Sequence, residues 1–277
     1  MPKNVSKNAP KNPPTNVPRN PPKASRRKAA SGATVVAVAN QKGGVAKTTS
    51  VASLGAAFAE QGRRVLLVDL DAQACLTFSL GVDPDEVERS VHEVLLGQAT
   101  IGDVRITCDD GVDLVPSVIE LAGAEAMLLS RPGREYVLRT ALDEVREDYD
   151  VVLLDCSPSL GVLTLNALTA SQGLVIPMPC EMLSHRGVGQ LLDTVHDVQR
   201  ILNPDLTVWG ILPTLFDGRS NHAQDVLADV GERYELDVLD PPIPRTVRFA
   251  EAPAVKTFLL KRSRTVTSKT DVVSAPP

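Results

Sequence analysis

The sequence predicts an α/β fold: a doubly wound, mostly parallel sheet with helices on both faces. Short apolar runs rich in valine and leucine recur along the chain, and such runs are typical of buried parallel strands. A segment of helical character follows nearly every run, which indicates parallel strands joined by crossover helices. With 277 residues, of which 43% are hydrophobic, the chain is long enough to build one large domain of this class.

The individual elements follow from the apolar runs and from glycine stops, such as Gly62 and Gly97 after two expected helices. Ligands of such sheets bind beyond the carboxyl ends of the strands, so the residues that follow the strands are the candidates for chemistry. The expected strands are 34–39, 64–68, 112–116, 149–154, 174–177 and 206–212, with a short one before Ile243. The expected helices are 48–61, 85–96, 119–130, 134–148, 162–171, 184–202 and 221–234.

Composition excludes several classes of protein. No run of about 18 apolar residues is present, so a membrane-spanning helix is not expected. The basic N-terminus lacks an apolar core, so it does not read as a secretory signal. The four cysteines form no C-x-x-C pair, which argues against a disulfide scaffold or a zinc ribbon and favours reduced thiols in the cytoplasm. Aromatic residues make up only 3% of the chain, too few to build stacking platforms for single-stranded nucleic acid.

The formal net charge of −5 is an average over three unlike segments. Residues 1–32 carry eight basic and no acidic residues, residues 254–277 carry a net charge of +4, and residues 33–253 therefore hold −17. We expect a disordered basic tail at 1–32, one folded domain at 33–253 and a flexible basic tail at 254–277. The proline-rich first tail is either an arm that contacts DNA phosphates, a solubilising leader or the product of a misassigned start codon.

A glycine-rich loop, NQKGGVAKTT at 40–49, follows the first expected strand. Phosphate oxygens need several backbone N–H groups converging at a helix N-terminus, and glycines permit that close approach. Lys47 would supply a positive charge to the β- and γ-phosphates, and Thr48 a hydroxyl to Mg²⁺. The ordinary P-loop pattern G-x-x-x-x-G-K-[ST] fails at both of its glycines. The pattern present is K-G-G-x-x-K-T, with a second lysine, Lys42, five residues before Lys47.

This loop resembles the deviant Walker A motif of the ParA/MinD ATPase family. Two further motifs follow in order: VLLVDLDAQ at 65–73 is similar to the family's D-x-D-P-Q strand end, and YDVVLLDCSPSL at 149–160 is similar to the Walker B segment of ParA proteins. The resemblance covers about residues 33–253. Later segments similar to ParA landmarks are Cys180-Glu181, IPRTVR at 243–248 and EAP at 251–253.

The resemblance implies an ATPase of the P-loop class, with ATP and Mg²⁺ as its cofactors and a slow, partner-stimulated hydrolysis. Lys47 would bind the phosphates in its own subunit, while Lys42 would reach the nucleotide of the partner subunit in trans. Asp71 would position the attacking water. The implied nucleotide-binding residues are Lys42, Gly43, Gly44, Val45, Ala46, Lys47, Thr48 and Thr49, with Pro244 and Thr246 beside the adenine.

The resemblance also implies a magnesium site. Thr48 would ligate the ion directly and Asp155 through a water, since Mg²⁺ keeps several waters. Asp69 would either support the metal shell or cap its strand, and the sequence leaves these two roles open.

The partners implied by the resemblance are a second copy of the chain in the ATP state, non-specific double-stranded DNA and a ParB-type protein. The function implied is segregation of chromosome or plasmid DNA by a cytoplasmic, nucleoid-associated protein without stable membrane insertion. Arg219, Arg245 and Arg248 could form a DNA-facing patch on the dimer, or they could be ordinary solvated surface residues.

Several departures from the family pattern keep alternatives open. Ala46 stands where the family usually has glycine, at a cost on the order of 1 kcal/mol if that position needs a positive φ. A degenerate paralogue that binds ATP without turnover is therefore one alternative. A membrane-cycling ATPase of the MinD type would need a C-terminal amphipathic helix, of which 258–262 is only a fragment. An iron–sulfur ATPase would need paired cysteines near the dimer axis, and Cys108 and Cys156 leave that class open.

Overall fold

The computed structural model describes residues 32–180, 185–218 and 221–245. Seven strands of the described residues form one sheet in the order β3-β4-β2-β5-β1-β6-β7, and every neighbouring pair is parallel except the antiparallel pair β3–β4. The predicted doubly wound, mostly parallel sheet is confirmed. The strands are β1 Thr34–Val38, β2 Val65–Leu70, β3 Ile106–Thr107, β4 Asp113–Val115, β5 Val151–Cys156, β6 Gly173–Pro179 and β7 Thr207–Thr214.

Alternate strand residues point to opposite sides of the sheet, so both faces carry apolar side chains. Helices cover both faces and bury them. One face is buried mainly under α1, whose Gly55 permits a close approach to the Leu67 side chain of β2. The other face is buried under the larger cluster that includes α5, α7 and α8. The helices are α1 Lys47–Glu60, α2 Cys75–Ser79, α3 Val91–Leu96, α4 Ile101–Val104, α5 Leu121–Leu128, α6 Val137–Asp143, α7 Val162–Ala170, α8 His185–Ile201 and α9 Asn221–Tyr234.

Two of the expected helices are wrong in extent. The helix expected at 85–96 begins only at Val91, because Ser90 is extended and forms a capping box with Glu93. The helix expected at 134–148 is divided into α6 and two 3-10 turns, Arg134–Tyr136 before it and Arg146–Asp148 after it. The buried Asn166 accepts a hydrogen bond from the Leu138 backbone N–H and donates to the Arg134 carbonyl, so the side chain of α7 fixes where α6 starts.

Three short elements were not predicted at all: α2, α4 and β3. Each is only two to five residues long. Such pieces carry too little periodicity to be recognised from sequence.

Strand register brings two acidic positions together at the carboxyl edge of the sheet. The sequence places Asp69 and Asp155 at strand ends, and both lie in the last two residues of their strands. β2 and β5 are neighbours, and Asp69 pairs directly with Asp155 across them. The loop after β1 lies at the same edge, because β1 is the other neighbour of β5.

Among the described residues, no helix is long and apolar enough to span a bilayer.

Candidate active site

The loop between β1 and α1 has the backbone shape that an anion-binding turn requires. Gly44 has φ 71° and open space around its α-carbon, so nothing obstructs a ligand there. Ala46, at the N-cap of α1, has φ 63° and ψ 34°. The position therefore does need the left-handed conformation, and the alanine carries the expected strain, on the order of 1 kcal/mol.

Two buried polar side chains hold this loop from the neighbouring strands. The Asn40 amide donates to the Pro177 carbonyl of β6 at 2.7 Å and accepts from the Lys42 backbone N–H at 2.9 Å. The Thr214 hydroxyl at the end of β7 donates to the Val45 carbonyl at 2.9 Å. The loop is thus fixed at both its beginning and its apex before any ligand arrives.

Lys47 is the charged centre of the loop. Its side chain is buried, with the residue only 7% exposed, and Nζ donates to the Lys42 carbonyl at 3.1 Å. Burial lowers the pKa of Lys47, while the negative charge of Asp155 is the strongest influence raising it. A buried ammonium held beside a carboxylate at a helix N-terminus is suited to receive phosphate oxygens.

Asp155 lies beneath the loop as a buried carboxylate whose two oxygens have no hydrogen-bond partner among the described residues. Burial and, next, the neighbouring Asp69 raise its pKa well above the ordinary range. The nearby Thr48 hydroxyl and the positive charge of Lys47 lower the pKa of Asp155 in part. The Thr48 hydroxyl is close to the carboxylate but is not placed to form a hydrogen bond with it. Unsatisfied buried carboxylates are rare in native proteins, because their desolvation is costly.

Asp69 is equally buried but fully satisfied by protein donors. One oxygen accepts from the Asp71 backbone N–H at 3.1 Å, and the other accepts from the Thr77 N–H at 2.9 Å and the Thr77 hydroxyl at 2.8 Å. Burial raises the pKa of Asp69 to about 6 against the lowering effect of these hydrogen bonds. Of the two roles that the sequence left open, this geometry favours the cap, which joins β2 to α2.

The structure brings most of the expected site residues to one edge of the sheet. Asp71 follows β2, is half-buried, and uses one carboxylate oxygen to accept the Gln73 backbone N–H at 3.0 Å. Lys42, in the same loop, is exposed. The half-buried residues Thr48 and Thr49 begin α1, and the exposed residues Gly43 and Gly44 form the turn before it.

The remaining expected residues come from two places in the sequence: Arg219 precedes α9, and Pro244, Arg245, Thr246 and Arg248 follow it. Pro244 and Arg245 are exposed, and Pro244 forms a bridge with Phe216. Thr246, Arg219 and Arg248 lie outside the described residues, so the adenine contact and the basic patch stay predictions.

The donor set fits a magnesium ion that is held together with a triphosphate. Mg²⁺ takes one or two protein oxygens and completes its shell with phosphate oxygens and water. The Asp155 carboxylate, which the described residues leave without a hydrogen bond, and the Thr48 hydroxyl at the start of α1 supply oxygens of that kind. Within the described ranges, no group of three or more His, Cys, Asp and Glu residues is arranged to hold a metal by itself.

Two of the cysteines are buried thiols, and one of them, Cys156, directly follows Asp155 on β5. Cys156 is 1% and Cys108 8% exposed, and burial raises the pKa of both thiols, that of Cys108 to about 11.

Two open surface cavities, of about 480 and 580 Å³, are lined by residues such as Arg131 and Arg105. Neither cavity includes a residue of the 40–49 loop.

The strand, the phosphate-type loop and the buried Lys47–Asp155 pair define a P-loop nucleoside triphosphatase fold with a deviant loop. The family model described as an AAA domain matches residues 33–208, and the chain belongs to that family. The family resemblance predicted from the motifs is confirmed by two curated relatives. The Bacillus subtilis sporulation initiation inhibitor protein Soj is 44% identical over 79% of this chain and 87% of its own length. The Caulobacter vibrioides chromosome partitioning protein ParA is 40% identical over 79% of this chain and 84% of its own length.

Solved structures agree on the fold. A Mycobacterium smegmatis protein named cobyrinic acid a,c-diamide synthase, with bound ADP and magnesium, is 58% identical, covers 88% of this chain and 100% of its own, and superposes with a TM-score of 0.76. McdA from Cyanothece, in its apo form, is 22% identical, covers 85% of this chain and 95% of its own, and gives a TM-score of 0.77. At that identity McdA supports the fold alone.

Sequence reasoning missed three residues that shape the site: Asn40, Thr77 and Thr214. Asn40 opens the recognised loop motif, so its position was visible although its bonds to β6 were not. Thr77 and Thr214 reach the site from 8 and 169 residues away in sequence, and no local pattern announces such contacts.

Proposed function

We propose that this protein is an ATP-driven switch of the ParA type, which dimerises on ATP, binds double-stranded DNA non-specifically and hydrolyses ATP when a ParB-type partner stimulates it. Its cofactors are ATP and Mg²⁺, and it acts on the nucleoid to segregate chromosome or plasmid DNA. The observation that carries the proposal is the Asp155 carboxylate, which is buried beside Lys47 and has no hydrogen-bond partner in the described part of the chain, under a loop that also presents an exposed second lysine.

The residues divide the work of hydrolysis between them. The backbone N–H groups of 43–47 and the Lys47 ammonium bind the β- and γ-phosphates. Thr48 directly and Asp155 through a water would hold magnesium, which would supply positive charge against the charge that develops on the phosphate. Asp71, at the end of β2 and within electrostatic reach of Lys47, orients the attacking water.

Lys42 completes the site of the partner subunit. Its side chain is exposed while its carbonyl is held by Lys47 of the same loop. A cation that arrives from the second subunit would stabilise the transition state only after dimerisation, which makes hydrolysis depend on assembly. We expect Lys42→Ala to keep ATP binding by the monomer but to lose hydrolysis by roughly 1,000-fold. Full turnover in that variant would remove the trans role.

The binding of ATP and the binding of DNA are thermodynamically coupled if both favour the dimer. If the ATP-bound dimer binds DNA more tightly than the monomer, ATP raises DNA affinity by that difference, and DNA raises ATP affinity equally. The acidic body, with −17 over residues 33–253, repels DNA, so contact depends on local basic surface such as Arg245 and the N-terminal tail. The relatives named Soj and ParA support this reading.

The deciding experiment is a DNA-shift titration of the full chain with Mg-ATP, Mg-ADP or no nucleotide, at two salt concentrations. We expect Mg-ATP to give the highest affinity and added salt to weaken it, because phosphate contacts release counterions. A matched variant with Arg26, Arg27 and Lys28 changed to alanine separates the tail from the dimer. Binding that ignores the nucleotide and is lost in this variant would contradict the proposal.

Other readings have distinct outcomes. ATP-dependent co-sedimentation with liposomes would favour membrane cycling of the MinD type. Tight ATP binding without turnover, even with DNA and partner, would favour a degenerate paralogue, for which the strain at Ala46 is the structural motive.

One second candidate has a specific observation behind it, the 58% identity to the protein named cobyrinic acid a,c-diamide synthase. The same phosphate site could activate a corrinoid carboxylate for amidation. ATP turnover that requires cobyrinic acid and an amide donor, and ignores DNA, would select this reading.

A further inference from the structure

The Val45 carbonyl at the apex of the phosphate loop requires a fixed partner. Val45 is 1% exposed, so its carbonyl oxygen has no access to solvent. In a loop that binds anions, the N–H groups must face the ligand and the carbonyl oxygens must face away, because a carbonyl turned inward would repel phosphate. The Thr214 hydroxyl, itself on a fully buried residue, meets this carbonyl at 2.9 Å and holds it outward.

Thr214 is also the last residue of β7, directly before the chain turns toward the surface. Leu215 has φ 50°, a left-handed conformation that a leucine adopts only when its surroundings enforce it. The next residue, Phe216, donates its backbone N–H to the Ile243 carbonyl at 3.0 Å and accepts from the Arg245 N–H at 3.0 Å. The Ile243 N–H in turn donates to the Pro213 carbonyl at 2.8 Å.

These bonds form one continuous connection from the phosphate loop to an exposed basic position. The end of β7 and the segment 243–245 are joined by three backbone hydrogen bonds in a parallel bridge, so a shift of one is expected to shift the other. The Thr214 hydroxyl joins the end of β7 to the apex of the loop, because it donates to the Val45 carbonyl.

We propose that Thr214 is a positioning residue which fixes the phosphate loop for a nucleoside triphosphate and relays occupancy of that loop to the segment carrying Arg245. The positioning part needs only nucleotide binding. The relay part rests on the proposed function, since it concerns the affinity for DNA.

The test compares Thr214→Val, which keeps the shape but removes the hydroxyl, with Thr214→Ser, which keeps the donor. Each full-length variant is titrated with Mg-ATP, and its DNA affinity is then measured with and without ATP at a concentration that saturates that variant. Saturation separates the relay from a simple loss of occupancy. Thermal unfolding of each variant reports folding, and Thr214→Ala replaces the valine variant if that one does not fold.

We expect Thr214→Val to bind Mg-ATP about tenfold more weakly, since the buried Val45 carbonyl loses its only side-chain donor in the described residues. At saturating ATP we expect the increase in DNA affinity to shrink by a similar factor. Thr214→Ser should stay within about twofold of the wild type in both measurements.

Two results would overturn the proposal, and they do so separately. Wild-type ATP affinity in Thr214→Val, or equal losses in the serine variant, would remove the positioning role and leave only a contribution to stability. A full ATP effect on DNA affinity in Thr214→Val would remove the relay. If the wild-type protein itself shows no ATP effect on DNA, the proposed function fails and the relay with it, while nucleotide affinity still decides the positioning role.

Discussion

The carboxyl ends of β2 and β5 each carry an aspartate at paired positions, but the two carboxylates differ in their hydrogen bonding. Asp69 on β2 accepts three hydrogen bonds from backbone and side-chain donors of the chain. Asp155 on β5, its direct neighbour, accepts none from the described residues. Both are buried, and burial raises the pKa of both.

The difference separates structure from function. A buried carboxylate that the protein satisfies contributes to the fold, whereas one that it leaves unsatisfied is a cost to the fold. Such a cost is common where a ligand completes the site. Asp69 therefore joins β2 to α2, whereas for Asp155 we propose a role in holding magnesium and nucleotide.

Among the variants that compare the two strand ends, Asp155→Asn should have the largest effect. The amide keeps the volume but removes the charge that would orient the metal-bound water, so ATP hydrolysis should fall by roughly 100-fold or more. A phosphate-release assay with saturating ATP measures it. Asp85→Asn, an exposed aspartate outside the loop, is the matched control and should keep full turnover. Activity close to the wild type in Asp155→Asn would break the contrast between the two strand ends.

The same variant should gain stability without nucleotide, with a defined pH dependence. The pKa of Asp155 is higher in the folded than in the unfolded chain, so between the two values the folded state binds more protons. The free energy of unfolding therefore falls as the pH rises above the unfolded pKa of Asp155. It reaches its lowest value above the folded pKa, where the carboxylate is ionised in both states. Asp155→Asn should match the wild-type Tm near pH 4 and exceed it at pH 8. A lower Tm at pH 8 would contradict this sign.

The β2 end should respond in the opposite sense. Thr77→Val removes the hydroxyl that donates to Asp69 at 2.8 Å and accepts from the Ser117 backbone N–H at 2.9 Å. Leaving these buried groups unpaired should cost about 1–3 kcal/mol, which lowers Tm by about 2–10 °C. Thr77→Ser, which keeps the hydroxyl, is the control. An unchanged Tm in the valine variant would show that the Asp69 network contributes nothing.

The smallest effect is expected from glycine substitutions in the two loops, which change neither Asp69 nor Asp155. Ala46→Gly relieves a left-handed alanine at φ 63° and should stabilise the protein by about 1 kcal/mol, or roughly 2–4 °C in Tm. Ala74→Gly, at the N-cap of α2 with φ 50°, is the matched change beside Asp69 and should act in the same direction. Calorimetry of both variants measures the strain at the two loops, and a lower Tm in either would contradict it.

The sequence was enough to predict the sheet, the phosphate loop and the family. Long apolar strands and the K-G-G-x-x-K-T spacing are local signals, and α9 was placed with its observed bounds, Asn221–Tyr234. It also placed Asp69 and Asp155 at one edge, since parallel strand ends converge there.

The opposite environments of those two residues could not be read from the chain. Two of the three hydrogen bonds to Asp69 come from Thr77 in α2, a helix too short to be recognised, and the bond to Val45 comes from Thr214. The extent of α3 and α6 was wrong for the same reason, since Ser90 and Asn166 set their starts through side-chain hydrogen bonds. Tertiary hydrogen bonds override local propensity at these points.

The most direct test of the central claim, that Asp155 is left for Mg-nucleotide while Asp69 serves the fold, is the shift in Tm caused by Mg-ATP. A ligand that binds only the folded state at 100 times its Kd adds about 2.7 kcal/mol. We expect Mg-ATP to raise the Tm of the wild type by several degrees and that of Asp155→Asn little or not at all. In Thr77→Val we expect a similar rise from a lower starting Tm. An equal rise in Asp155→Asn, or its loss in Thr77→Val alone, would contradict the account.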